Sequence, residues 1–300
     1  MHNIWQSARK MGFIFSLLAI VVSLGVLALN PIAFGLDFTG GTVLDFTLMS
    51  LTSMSELQTT LSTLTSDAFS LSQSQDGHWR VLFLPDVASD SIAAFQTAIE
   101  SQLNAHILES KFLGAQVGEE LKTSGALAAV FAVVSVLIYL MVRFEWRLAV
   151  AATVALFHDV LITIALFTVL GLTFDLTVLA ALLAIIGYSL NDSIIIGDRI
   201  RELIRAKPEQ HIGHSINEAL QSTLRRTLIT SFTTLATVFA IWLLGGDALN
   251  GFASALLIGL TAGTLSSIFI SATLPEFMGL SFENYQDQDS DEVKKLLAEP

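Results

Sequence analysis

The chain of 300 residues is 53% hydrophobic and only 14% charged, with a formal net charge of -12 and a mean hydropathy of +0.66. A soluble globular chain carries about 25% charged residues, so this composition points to a membrane protein, and the negative balance argues against nucleic acid as a partner. With no cysteine and six scattered histidines (His2, His78, His106, His158, His211 and His214), disulfides and thiolate chemistry are excluded, and no His/Asp/Glu set has metal-ligand spacing.

A bilayer crossing needs about 20 apolar residues. Six runs qualify as spans: Met11–Leu29, Gly125–Val142, Leu148–Leu170, Leu176–Ile196, Leu228–Leu244 and Phe252–Leu274. The first follows Arg9 and Lys10, and Asn30-Pro31 stands where a small-residue cleavage site would. It exceeds the about 7–15 apolar residues of a signal peptide, so it reads as an uncleaved anchor. Basic residues set the orientation. Arg9, Lys10, Arg143, Arg147, Arg199, Arg201, Arg205, Lys207, Arg225 and Arg226 fall on one side, whereas the long Asn30–Lys122 loop carries only Arg80, Lys111 and Lys122. Both termini are expected in the cytoplasm, with the acidic tail of residues 280–300 a solvated extension there.

The loop of residues 30–122 reads as a folded domain. Thr42–Leu48 has strand character, and Ser53–Thr65 places Met54, Leu57, Leu61 and Leu64 at helical spacing. Ala68–Ser72 is a weak strand, and Asp76-Gly77 signals a hairpin before the strand His78–Leu84. Asp90 is expected to cap a helix through Leu103, and Ile107–Val117 to return as a strand. The order β-α-β-β-α-β predicts a ferredoxin-like α+β domain. It contains no Gly-rich phosphate loop and no catalytic triad, which favours a binding or mechanical role. Residues 123–279 then form a bundle of spans two to six.

Ionisable residues inside the spans carry the functional reading. A charge at that depth costs roughly 2.5–3.5 kcal/mol on insertion scales and marks ion paths, proton relays or paired structural sites. Span three has His158-Asp159 at its middle, and span four has Gly187-Tyr188-Ser189-Leu190-Asn191-Asp192. Tyr188, Ser189 and Asp192, at i, i+1 and i+4, share a helical face. Span five opens with Arg225-Arg226, and Arg226, Thr230, Thr233 and Thr237 form a polar stripe at helical spacing. Hydroxyls on a membrane helix ordinarily bond to the preceding turn or a neighbouring helix. Continuity of the stripe with Arg226 and a facing Asp192 makes a water-lined path the expectation. An Asp–Arg pair stays ionised, whereas an unpaired buried carboxylate is driven toward its neutral form; a site alternating between the two binds and releases a proton. Arg225 reads as a snorkelling anchor, and Asp198, Arg199, Arg201 and Glu202 as a solvated cluster at the helix end. Span six carries the small-residue motif Gly259-Leu260-Thr261-Ala262-Gly263, which permits close helix packing.

These residues resemble the SecF family, the smaller subunit of SecDF. Gly35-Leu36-Asp37-Phe38-Thr39-Gly40-Gly41 is similar to its G-[IL]-D-F-x-G-G signature, and His158-Asp159 to its HD pair. Gly187 to Asp192, continuing into Asp198-Arg199-Ile200-Arg201-Glu202, is similar to its G-Y-S-x-N-D…D-R-x-R-E motif, and Arg226 to Ser231 with Gly245-Gly246 to its fifth span and exit. The likeness runs in order along nearly the whole chain and departs at Gly197, where many relatives carry phenylalanine. The resemblance implies a multi-pass α-helical membrane protein with six transmembrane helices and a small periplasmic α+β domain between the first two. It implies half of a resistance-nodulation-division transporter fold, SecD, the SecYEG channel and YajC as partners, and unfolded preproteins as cargo. It also implies coupling to protons, or to sodium in some relatives, without a cofactor and without enzymatic chemistry. Family ion-path positions carry over to Asp192 and Arg226, and less directly to Asp159, with His158, Tyr188, Ser189, Asn191 and Thr230 as supporting polar groups. The alternative is an exporter component of the same superfamily, which ordinarily has larger paired external domains. An intramembrane aspartyl protease would need Y-D and G-x-G-D motifs that this chain lacks. A passive scaffold leaves the membrane aspartates unexplained.

Overall fold

In a computed structural model, which describes residues 2–48, 53–73 and 77–285, six helices are long and apolar enough to cross a membrane. These are α1 (His2–Leu29), α5 (Ala115–Arg143), α6 (Trp146–Val169), α7 (Leu176–Ala206), α8 (Ile212–Leu244) and a sixth span that begins as α9 (Asp247–Ser266). Several helices outrun the apolar runs that predict them. Hydropathy marks the length of helix in contact with lipid, and the helix continues wherever amphipathic spacing can still bury one face. Beyond Ile196, α7 keeps Ile200, Leu203 and Ile204 at helical spacing, and these pack against Ile216, Ala219 and Leu220 of α8, which starts well before Leu228.

The sixth span is not one continuous α-helix as expected. After α9 the chain passes through a π-helical turn at Ser267–Ser271 and ends in the short α10 (Leu274–Phe277). Such π turns often accompany functional sites. The most buried span is this sixth one, packed among α6, α7 and α8, while α1, α5 and α8 leave most of their surface bare. At one end of the bundle the buried Arg9 donates to Glu276 and to the carbonyl of Ala272, and Lys10 Nζ stands 3.4 Å from Glu276. This charge cluster ties the start of α1 to the end of the sixth span. The bonds Arg143–Asp198 at 2.7 Å and Arg199–Glu202 at 2.6 Å lie at the half-exposed end of α7, a solvated cluster as expected.

The inserted domain contains α2 (Leu36–Thr39), β1 (Gly41–Thr47), α3 (Met54–Leu64), β2 (Phe69–Gln73), β3 (Trp79–Phe83), α4 (Ser89–Leu103) and β4 (His106–Leu113). The antiparallel sheet has the order β2-β3-β1-β4, the arrangement expected of the β-α-β-β-α-β sequence. Period-two alternation in β1 sends Leu44 and Phe46 to one face, opposite Val81 and Trp79, where they meet Leu57 and Leu61 of α3 and Ile92, Phe95 and Ile99 of α4. Ser53 accepts from the backbone N–H of Glu56 and starts α3.

Two local expectations are corrected. The N-cap of α4 is Ala88, which offers no side-chain bond, and Asp90 lies within the first turn, where its charge faces the helix dipole. The last strand stops at Leu113, and residues from Ala115 onward belong to α5, because Gly114 breaks the ladder and Val117 N bonds Gly114 O in the first helical turn. Of the hairpin signal, Gly77 has the positive φ of 79° that such a turn needs, while Asp76 lies outside the described residues.

Candidate functional site

The carboxylate of Asp159 is fully buried on α6 between α7 and α9. Its Oδ2 accepts from the Ser189 hydroxyl of α7 at 2.5 Å and the Ser266 hydroxyl of α9 at 2.9 Å, and Oδ1 lies 2.9 Å from His158 Nδ1. An ionised carboxylate only accepts, so that imidazole nitrogen carries the proton when Asp159 is charged. The approach depends on Gly263 of the small-residue motif, where a Cβ would stand 3.1 Å from Ser189 Cβ and 3.4 Å from Asp159 Oδ2. The motif therefore brings α9 close enough for its next-turn residue, Ser266, to reach the carboxylate.

Three residues after Ser189, Asp192 is 2% exposed. Among the described residues nothing hydrogen-bonds its Oδ2, and the buried Ser193 Oγ, Thr227 Oγ1 and Tyr188 hydroxyl are also without partners. Arg226 of α8 is the charge whose field reaches this carboxylate, and no hydrogen bond or ion pair joins the two in this conformation. Arg226 is exposed, as are Asn191, Thr233 and Thr237, all on surface that the described residues leave uncovered.

The hydroxyl stripe bonds along its own helix. Thr230 donates to the carbonyl of Arg226, Thr233 to that of Ile229 and Thr237 to that of Thr233, each at 3.0 Å. Each of these hydroxyl oxygens still has lone pairs with which to accept from another donor. The polar residues of the stripe line an outer face of the bundle, and Ser189, expected beside Asp192, turns its hydroxyl to Asp159 instead. Among the described residues, no group of three or more His, Asp or Glu stands together as a metal site.

Sequence reasoning missed Ser266. Ser266 lies three residues after Gly263 and seven after Gly259, on the same helical face, and that spacing was the available signal. Gly197, the departure from the family pattern, is buried with Phe144 packed over it; a Cβ there would meet the ring at 3.2 Å. An aromatic ring from the end of α5 thus occupies the space beside this glycine.

Fold and site together define a multi-pass helical membrane protein with an inserted α+β domain and carboxylates buried between its spans. Residues 93–280 match the family described as protein export membrane protein SecD/SecF, C-terminal. The chain is 36% identical over 283 residues to the protein translocase subunit SecF of Vibrio alginolyticus, covering 92% of this chain and 89% of that one. It is 37% identical to the SecF of Escherichia coli O157:H7, covering 91% and 85%. The SecDF crystal structure from Thermus thermophilus, described as a translocon-associated membrane protein, superposes with a TM-score of 0.82 at 30% identity over 91% of this chain. A super-membrane-facing form of SecDF gives 0.67 at 29% identity over 97%. The chain spans 38% and 40% of those two longer polypeptides. It belongs to the SecF family of protein translocase subunits.

Proposed function

We propose that this chain pairs with a SecD subunit in the bacterial inner membrane and uses an ion gradient, protons or sodium, to help draw unfolded preproteins through the SecYEG channel. It acts as a transport subunit without a cofactor and without catalytic chemistry. The observation that carries this reading is Asp192, a carboxylate at membrane depth with an unpartnered oxygen and a guanidinium near enough to act on it. Such a group can take up an ion at that oxygen and release it when Arg226 swings into contact. The exposed face of α8, with Arg226, Thr233 and Thr237, is the surface against which a SecD helix would complete a polar path. Support for that partner comes from the SecDF structures, in which the matched region is less than half of the polypeptide.

The basic residues favour cytoplasmic termini and a periplasmic domain. Ion passage at Asp192 rearranges the spans and moves that domain against its partner, which transmits pull to the emerging polypeptide. The test is completion of translocation in vesicles carrying the reconstituted complex, with a proton gradient or a sodium gradient imposed separately. One gradient should accelerate completion, and Asp192→Asn should remove the acceleration. Equal rates with and without either gradient, in a complex shown to be assembled, would overturn the reading.

A further inference from the structure

The glycine-rich signature that follows α1 is bound to the start of α7. Asp37 Oδ2 accepts from the backbone N–H of Leu176 at 3.1 Å, at the first turn of that helix. Asp175, the local N-cap, accepts from Val178 N at 2.9 Å, so two carboxylates, one local and one from the inserted domain, satisfy amides of the same helix end. Backbone bonds run alongside: Gly35 N donates to Phe174 O at 2.9 Å and Phe174 N to Ala33 O at 2.7 Å. The rings of Phe34, Phe38 and Phe174 close over this strip, with centroids 5.9–6.1 Å apart.

The other side of the signature is fixed as well. Gly40, with φ of 64°, abuts α5 at Gly118, where a Cβ would lie 2.8 Å from Gly40 N. Above this strip a cavity of about 520 Å³, lined in part by Asp45, Arg80 and Lys111 of the sheet and by Asp175, separates the domain from the connection between α6 and α7. Contact between the domain and α7 is therefore concentrated at its base. By contrast, the link from α1 is short and irregular: Asn30 still bonds back to Val26 O, and the next backbone bond on the chain is the one Ala33 O accepts from Phe174 N.

We infer that Asp37 is a positioning residue: it latches the domain to α7, so that the domain travels as one body with the helix that carries Ser189 and Asp192, and pivots at the segment after α1. The inference rests on the proposed ion-driven cycle for its functional consequence, while the latch itself is a property of this fold. Movement of α7 at Asp192 then reaches the domain through the Asp37–Leu176 bond and the Phe174 strip, beside the contact of Gly40 with α5. The latch stays closed throughout the cycle.

The absence of cysteine allows thiols to be introduced singly or in pairs. In the assembled complex, Asp37→Ala should slow gradient-driven translocation at least about fivefold, the lower end of usual couplings between sites. Asp37→Asn, whose amide oxygen can still accept from Leu176, should retain most of the rate. A disulfide across the bridged pair, made by Phe34→Cys with Phe174→Cys, should leave the otherwise native complex active and should restore the Asp37→Ala variant when oxidised. Spin labels at Thr97→Cys in the domain and Ala180→Cys on α7 should give one distance with and without the gradient, and a broadened one in Asp37→Ala. Arrest of the otherwise native complex by the oxidised disulfide, or a label distance that shifts when the gradient is imposed, would overturn the latch. An unchanged label distance combined with gradient-insensitive translocation would instead leave the latch standing and remove the ion-driven reading.

Discussion

Asp159 and Asp192 occupy neighbouring spans of one bundle, and both are shielded from water. Asp159 is held from three sides, by its own neighbour His158 and by hydroxyls from two other helices. Asp192 has an oxygen that nothing among the described residues satisfies, and the charge acting on it is that of an exposed arginine. A buried network with every member satisfied rigidifies the packing around it. A buried polar atom without a partner costs about 1–3 kcal/mol, which a fold tolerates where a ligand, an ion or a second subunit completes the site. Under the proposed function, this contrast gives Asp159 the task of holding α6, α7 and α9 together and Asp192 that of exchanging the ion.

The sharpest break would come at Asp192. Asp192→Asn keeps the shape and removes the ionisable group, so gradient-driven secretion should fall to the level without the protein, while expression and complex assembly persist. Near-normal secretion from a well-expressed variant would dissolve the distinction between the two carboxylates. The next effect is structural. Ser189→Ala with Ser266→Ala removes two donors to Asp159 and should lower thermal stability by about 1–3 kcal/mol, with loss of membrane-inserted protein on blotting. If stability is unchanged, the network does not join the helices.

Arg226→Lys should impair secretion only in part, because lysine keeps the charge and lacks the planar fork that grips a carboxylate. A double-mutant cycle with Asp192→Asn should be strongly non-additive; additive losses would mean that the two side chains work separately. The smallest effect belongs to the stripe. Thr233→Val and Thr237→Val remove hydroxyls that bond only to their own helix, so secretion should change less than about twofold, within the ±0.5 kcal/mol usual for surface positions. A larger loss would place those hydroxyls on the ion path itself.

Much of this was legible in the chain. Long apolar runs announce spans because lipid offers the backbone no hydrogen bonds, and period-two and helical spacing in residues 41–113 separated the strands from the helices. Depth alone marked Asp159 and Asp192. What differs between them was hidden, because it depends on which helices surround α6 and α7. Ser189 is one turn from Asp192 in sequence, yet the close approach of α9 at Gly263 puts Asp159 within its reach. The bond from Asp37 to Leu176 joins positions far apart in sequence, and no local spacing encodes such a contact. Helices α7 and α8 run past their apolar stretches because helix length there follows packing beyond the lipid.

The most direct test puts the same substitution at both sites. Asp159→Asn and Asp192→Asn would each be purified in complex, and each read for thermal stability and for gradient-driven translocation per assembled complex. The expected pattern is crossed: the variant at 159 is less stable but keeps substantial gradient-driven activity, and the variant at 192 is as stable as the unaltered protein but inactive. Full activity at 192, or loss of gradient response at 159 without loss of stability, would contradict the assignment of one carboxylate to architecture and the other to ion exchange.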